Sequence, residues 1–438
     1  MSAPLPTPQH PPSASRRLVS RTVEVDDPGP LLSLLPDPAR VGEPLAWVRR
    51  GEGLVGWGEA ARLETRGPDR FGEAERRWRG LLAGAVVRDE VRGRGTGPVA
   101  FGSFAFAGTS AEASVLVVPE TVVGHRDGRW WVTRTTVAPA GATAVDAVLP
   151  GPHRTPRPQA EPPAPTGVSF ADGSVTSTAW ELLVAEAVRR IADGALDKVV
   201  LARDLLARAE APLDVRAVLG RLAGAYPATW TFHVAGLVGA TPEVLVRTQV
   251  GLVASRVLAG TIRRSGDDEH DLALAASLAR SSKDLGEHEY AVRSVVEALA
   301  PFCAGTNVPE SPYVLHLANV MHLATDVTGV LRDGASSLRL AAALHPSAAV
   351  CGTPTEAAAD LITELEGMDR GRYAGPVGWL DASGDGEWGI ALRCGRVAED
   401  AHEVRLFAGC GIVEGSDPAA ELAESTAKLV PMRDALGG

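Results

Sequence analysis

Three strand-like runs follow one another between Thr229 and Gly260 with no helical segment between them: TWTFHVAGLVG (229–239), PEVLVRTQ (242–249) and GLVASRVLAG (251–260). Parallel neighbours need a crossover of about a dozen residues or more, and the gaps here are much shorter. The runs therefore pair antiparallel, and the fold class is α+β, mostly antiparallel, and not doubly wound. The same texture opens the chain. AWVRR (46–50), PVAFGSFAF (98–106), SVLVVPETVV (114–123) and RWWVTRTT (129–136) read as strands. Arg126-Asp127-Gly128 reads as the hairpin turn between the last two. One helix, over about 71–87, interrupts them.

Further on, helices are expected over 177–193, 267–280, 284–302, 336–344, 354–365 and 418–436. KVVLARDLLARAE (198–210) and PYVLHLANVMHLATDV (312–327) read as strands, and three more are expected from Gly375 to Gly411. The start, MSAPLPTPQHPPSASRR, is rich in proline and serine and has no apolar stretch. It reads as a disordered tail over 1–17, not a signal peptide. The expected organisation is a variable, strand-rich N-terminal part of the fold over 18–138, a Pro-rich linker or excursion over 139–176, and a mixed region over 177–438.

Charge narrows the partners. Asp and Glu number 54 against 43 Lys and Arg, a net charge of −11. A general nucleic-acid or anionic-membrane binder would be basic, so neither partner is expected. A small anionic substrate stays possible, because a metal ion or a few arginines can invert the field of one pocket. The four cysteines lie more than ten residues apart, with no Cys-x-x-Cys pair. That argues against zinc and for a reducing compartment, the cytoplasm.

Two motif matches fail on context. Gly51-x-Gly53-x-x-Gly56 fits the dinucleotide fingerprint, but a strand-like run follows where a helix N-terminus would be needed. DASGDGEWG (381–389) starts like a calcium loop, but Leu392 stands where the bidentate Glu belongs. It reads as a hairpin turn at Asp385-Gly386.

Carboxylates on two helices carry more weight. In KDLGEHEYAVRS, Asp284, Glu287, His288 and Ala291 share one helical face by spacing, and so do Glu421, Glu424 and Lys428 in the last helix. Two readings stand at this point: a pair of solvated charged faces with a Glu-Lys pair, or carboxylates from two helices holding Mg²⁺, a hard cation that takes such ligands.

Nine stretches together resemble the chorismate-utilising enzymes, namely the isochorismate, salicylate, anthranilate and aminodeoxychorismate synthases. They are KVVLAR (198–203), TPE (241–243), LAGT (258–261), SSKDLGEHEYAV (281–292), NVMHLATDV (319–327), LHPSAAVCGTP (344–354), RYAGPVGW (372–379), ALRCGRV (391–397) and GCGIVEGSDPAAELAESTAKL (409–429), in the family's order. The resemblance implies two large, stacked, mostly antiparallel sheets wrapped by helices, with 177–438 as the chorismate-binding catalytic region. It implies Mg²⁺ between Glu287 and Glu424, with Asp284 and Glu421 supporting them. Lys198 stands where the water-adding members carry their general base, and Glu243 is the matching general acid. Gly260, Thr261, His322, Ala349, Tyr373, Arg393, Gly411, Ile412 and Lys428 are the implied substrate contacts, with Tyr373 and Arg393 on strands. His345 and Ala349 match the isochorismate-forming branch, and Ala259 argues against the aminodeoxychorismate synthases, which tend to have a lysine there, while Ser347 and Ile262 stand where Thr and Arg are usual. The implied reaction is chorismate to isochorismate, feeding menaquinone or siderophore synthesis. The alternatives are salicylate synthase, anthranilate synthase component I, and a non-catalytic chorismate-binding paralogue. No glutaminase subunit is implied, and the family suggests a monomer.

Overall fold

The computed structural model describes residues 17–138, 155–316, 320–332 and 334–437, without the side chains of Thr261, Lys283 and Glu287. The tail expected at 1–17, Arg17 apart, and the first part of the Pro-rich stretch lie outside the described residues. The first half of the fold contributes β1 (Arg17–Val25), a 3₁₀ turn (Leu31–Leu34), α1 (Pro38–Val41), β2 (Leu45–Arg49), β3 (Glu52–Trp57), β4 (Ala61–Thr65), α2 (Arg70–Ala83), β5 (Val86–Asp89), β6 (Val99–Ser103), β7 (Ser114–Val118), β8 (Thr121–Arg126) and β9 (Arg129–Ala138). Within 139–176, Val168–Asp172 is a strand, β10.

Then come α3 (Ser177–Ala192), β11 (Lys198–Ala209), α4 (Val215–Ala225), β12 (Trp230–Val234), β13 (Leu237–Thr241), β14 (Val244–Gln249), β15 (Leu252–Arg263), α5 (Asp268–Leu278) and α6 (Ser282–Leu299). The chain continues through β16 (Cys303–Asn307), β17 (Tyr313–His316), β18 (Val320–Leu331), α7 (Ser337–Leu344), β19 (Gly352–Thr353) and α8 (Thr355–Leu365). It ends with β20 (Pro376–Asp381), β21 (Gly386–Ile390), β22 (Cys394–Val397), β23 (Glu403–Ile412) and α9 (Pro418–Ala435).

The strands form two sheets. One, of 13 strands, runs β10-β11-β23-β22-β13-β12-β2-β3-β8-β9-β1-β5, with β19 beside β11. The other, of 10 strands, runs β16-β18-β15-β14-β21-β20-β6-β7-β4, with β17 beside β18. All pairs are antiparallel except β1 with β5. The sheets stack over a core that includes Trp47 and Phe232 from one and Phe101, Trp379 and Trp388 from the other, all fully buried. Each such side chain contributes roughly 1.5–3 kcal/mol or more through burial. Trp47 Nε1–H reaches across to Glu387 Oε2 at 3.3 Å. A second apolar layer packs α4 and α9 on the outer face of the larger sheet, through Leu219, Leu222, Leu429 and Met432 against Val404 and Leu406.

Several expectations shift. The helix expected over 71–87 stops at Ala83, where Gly84 ends it, and Val86–Asp89 pairs with β1. Helix α4 and strands β1, β16 and β19 were not anticipated, and four strands, not three, follow Gly375. The turn expected at Asp385-Gly386 lies earlier: Gly384 has φ +89°, and Gly386 already belongs to β21. The β8–β9 hairpin is as read, with φ +49° at Asp127 and +73° at Gly128, the two positive values of a type I′ turn. Gly51, Gly53 and Gly56 belong to the β2–β3 hairpin, so no helix follows them. Among the described residues no helix is long and apolar enough to cross a membrane.

Candidate active site

Two of the points at which the chain crosses between the sheets are neighbours. Pro242-Glu243 joins β13 of the larger sheet to β14 of the smaller, and Ala391–Arg393 joins β21 of the smaller to β22 of the larger. These crossings are tied together: Ile390 N–H donates to Glu243 O at 3.1 Å, and Ala240 N–H to Arg393 O at 3.2 Å. The approach needs glycine. A β-carbon at Gly389 would stand 2.9 Å from Glu243 O, and one at Gly239 would stand 2.8 Å from Arg393 O.

A cavity of about 310 Å³ opens beside the crossings. Lys198, Glu243, Gly260, His322, Ala349, Tyr373, Arg393, Gly411 and Lys428 all line it, as do Asp284 and Glu424. Residues some 230 positions apart in the chain thus converge on one space. Two placements differ from expectation. Arg393 is not on a strand but in the bend before β22, with φ +49°, a left-handed conformation that costs roughly 1–3 kcal/mol. Tyr373 sits in the turn before β20. Ile412, expected to contribute its backbone N–H, turns its side chain into the core by strand alternation, and Val413 lines the wall beside Gly411. Thr261 pairs with His322 across β15 and β18, beside an irregularity at Gly260, whose φ is +76°. The Thr261 hydroxyl is outside the described atoms.

Burial dominates the electrostatics. It raises Glu243 to about 7, although Lys198, Lys428 and Arg393 each favour the carboxylate. It lowers His322 to about 4, helped by Arg393 and Lys428 and opposed by a hydrogen bond with the Gly260 backbone. Near neutral pH this imidazole is therefore uncharged. Burial also pushes the Tyr373 phenol up, so it remains a hydroxyl. That ring stacks on Phe407 at 5.0 Å, and a β-carbon at Gly409 would stand 3.2 Å from its oxygen.

Helix α9, capped by Asp417 accepting from Ala420 N–H at 2.8 Å, brings two carboxylates to the rim. Glu424 Oε1 accepts from Lys428 Nζ at 2.7 Å, and the same ammonium donates to Gly409 O at 2.9 Å. Burial works against ionisation of Glu424, but Lys428, joined by Arg263 and Arg393, outweighs it and holds the carboxyl below its usual range. Glu421 stands behind, accepting from Ser416 Oγ at 2.8 Å and pushed upward by burial and then by Glu424. Ligand atoms of Glu421, Glu424 and Cys410 lie within 4.8 Å of one another. Without a metal, burial holds the Cys410 thiol up at about 12. The two glutamates are hard oxygen donors of the kind Mg²⁺ takes. Across the cavity, Asp284 stands in the first turn of α6, and Glu287 follows three residues on, its side chain outside the described atoms. His288 anchors this helix, with Nε2 at 2.7 Å from Thr325 Oγ1 and Nδ1 at 3.3 Å from Ala259 O.

The sequence reading missed Arg370. Its buried guanidinium pairs with Glu366 and donates to the carbonyls of Val350 at 2.8 Å and Val200 at 2.6 Å. Glu366 Oε1 in turn accepts from Ala202 N–H at 2.7 Å. The pair therefore clamps β11, which begins at Lys198, to the segment carrying Ala349. An arginine three residues before Tyr373 was the available signal. A wider, mainly apolar chamber of about 600 Å³ adjoins the cavity and shares Lys198, Glu243 and Ala349 with it. His345 is a support for that wall, with Nε2 at 2.9 Å from Phe106 O and burial holding it at about 4.

Comparison with known proteins gives a consistent result. A family model described as chorismate binding enzyme matches residues 10–437. The salicylate biosynthesis isochorismate synthase of Pseudomonas aeruginosa is 36% identical, over 96% of this chain and 90% of that protein. Isochorismate synthase DhbC of Bacillus subtilis is 41% identical over 58% of this chain and 66% of its own length. In fold, the menaquinone-specific isochorismate synthase of Escherichia coli superposes with a TM-score of 0.79 at 24% identity, covering 97% of this chain and 95% of that one.

Proposed function

The chain belongs to the chorismate-binding enzymes, and on that premise we propose that it converts chorismate to isochorismate, for menaquinone or siderophore synthesis. The observation that carries this reading is the pairing of Lys198 and Glu243 in one cavity, with the Glu243 carboxyl raised to about 7. Water addition at C2 with loss of the C4 hydroxyl needs one group to take a proton and another to give one. Lys198 deprotonates the attacking water. Glu243, protonated at and below neutrality, donates to the departing hydroxyl. In the reverse direction the two exchange roles.

Arg393 offers a two-pronged guanidinium to the enolpyruvyl carboxylate, and Tyr373 adds a hydroxyl. The neutral His322 ring lines the space for the substrate ring without adding charge. Lys428 keeps Glu424 oriented. Glu424 and Glu287 would hold Mg²⁺, with Asp284 and Glu421 in support, and the ion would supply neutralising charge for the substrate's ring carboxylate. We infer a monomer that acts in the cytoplasm without an ammonia-supplying glutaminase.

The test is incubation of purified protein with chorismate and Mg²⁺, without ammonia, followed by NMR of the products. Isochorismate in equilibrium with chorismate supports the proposal. Salicylate plus pyruvate transfers the protein to the salicylate synthases, and no turnover rejects both.

A further inference from the structure

A second cavity, of about 430 Å³, lies between β2, β3, β8 and β12 of the larger sheet and β14 and β21 of the smaller. It shares no lining residue with the cavity of Lys198. Five arginines line it, Arg49, Arg50, Arg94, Arg126 and Arg247, against three carboxylates, Glu52, Asp127 and Glu387. In a chain of net charge −11, this local excess of cations is not a by-product of overall composition.

Two of the arginines have structural employment. Arg94 donates to Thr248 O at 2.9 Å and Gly386 O at 2.8 Å, with Glu387 at 3.7 Å. Arg49 donates to Ala228 O at 2.9 Å and lies 4.0 Å from the Trp230 ring centroid. The others are less satisfied. Arg126 buries Nη1 with no hydrogen-bond partner. Arg50 and Arg247 make no ion pair with a described carboxylate. The groups also repel one another: Arg126 and Arg247 both disfavour the charge on buried Arg94, and Arg50 does the same to Arg49. The Arg94 side chain is buried and Arg126 is half-buried, while Arg50 and Arg247 are exposed, so the repulsion bears mainly on the inner pair, and an anion in the cavity would relieve it.

We propose that this cavity binds a small dianionic metabolite, one carrying two carboxylate or phosphate groups, with Arg126 and Arg247 as its main partners. Guanidinium forks match either group bidentately. The cavity is of the size that takes a small molecule. Trp47 and Trp230, with ring centroids 6.4 Å apart, stand among its lining residues, the Arg49 guanidinium lying over the Trp230 ring. Arg247 lies on β14, the strand that follows Glu243, so the site sits further along the strand that leaves the catalytic crossing.

The test is calorimetric titration of the full chain, without chorismate, with inorganic phosphate and with succinate at fixed ionic strength. Saturable binding of at least one is expected, weakened at least tenfold by Arg126→Gln or Arg247→Gln and retained in Arg393→Gln. Preference for phosphate marks a phosphorylated ligand, and preference for succinate a dicarboxylate. No saturable binding of either, or binding lost in Arg393→Gln and kept in the other two variants, overturns the proposal. Melting provides a second readout. Without anion, Arg126→Gln and Arg247→Gln should melt above the parent chain, since each relieves repulsion. Lower melting in both, with an undiminished response to anion, also overturns it.

Discussion

Gly411 lies under Lys198 so closely that a β-carbon there would stand 2.9 Å from Lys198 Cε. Its backbone pairs with Val200 and needs no unusual φ, so alanine fits the strand and only the lysine tip must move. Gly411→Ala should therefore fold normally and lower kcat by roughly 10²-fold, the usual penalty for displacing a reacting group by about 1 Å. Steady-state kinetics with a melting curve checks this. Unchanged kcat would mean that the ammonium position is not critical.

Glu243 should leave a mark on both activity and stability. Its carboxyl rises from an ordinary 4.5 to about 7 on folding. The contribution to stability is fully present below the unfolded value and is lost as pH rises through about 7. Glu243→Gln lacks this loss. Between pH 5 and 8 it should gain on the parent by about 2 kcal/mol, allowing for screening by cavity water. Urea unfolding at several pH values measures the difference. The parent's activity should fall as pH rises above 7, and the variant should be slower by roughly 10²–10⁴-fold.

The metal assignment rests on carboxylates from two helices. Glu424→Gln and Glu287→Gln should each weaken Mg²⁺ binding by roughly 10²-fold or more and remove Mg²⁺-dependent turnover. Circular dichroism should be unchanged, because Glu424 lines the cavity and Glu287 lies one turn along α6 from Asp284, which also lines it. Normal Mg²⁺ titration in either variant refutes that residue as a ligand.

The Glu366–Arg370 pair is a buried structural device. Arg370→Met strands the Glu366 carboxylate and should cost about 3–5 kcal/mol in denaturant unfolding. Adding Glu366→Leu should recover much of that loss, since a buried pair often breaks even with apolar packing. A cost below about 1 kcal/mol would show that the clamp carries little strain-bearing load.

Local patterns and distant pairings differed in how far they could be read. Strands β12, β14 and β15 were legible because each carries its own alternation and its own turn. Helix α9 was legible from spacing, since Glu421, Glu424 and Lys428 fall on one face whatever lies beyond. The sheet-crossing points were not legible, because nothing near Pro242 or Leu392 says that the next strand joins the other sheet. Hence Arg393 and Tyr373 were expected on strands, although turns aim them inward. Arg370 escaped notice because its partners, Val200, Val350 and Glu366, come from three separate elements. The arginine cavity spans Arg49 to Glu387 and has no local signature at all.

The most direct measurement is turnover of chorismate with Mg²⁺ in H₂¹⁸O, with the label located by NMR. Water activated by Lys198 enters at C2 while the C4 hydroxyl leaves, so isochorismate should carry ¹⁸O at C2, and the back reaction should place it at C4 of recovered chorismate. Isochorismate formed without solvent label would contradict the Lys198–Glu243 mechanism, and the absence of isochorismate would contradict the proposed function itself.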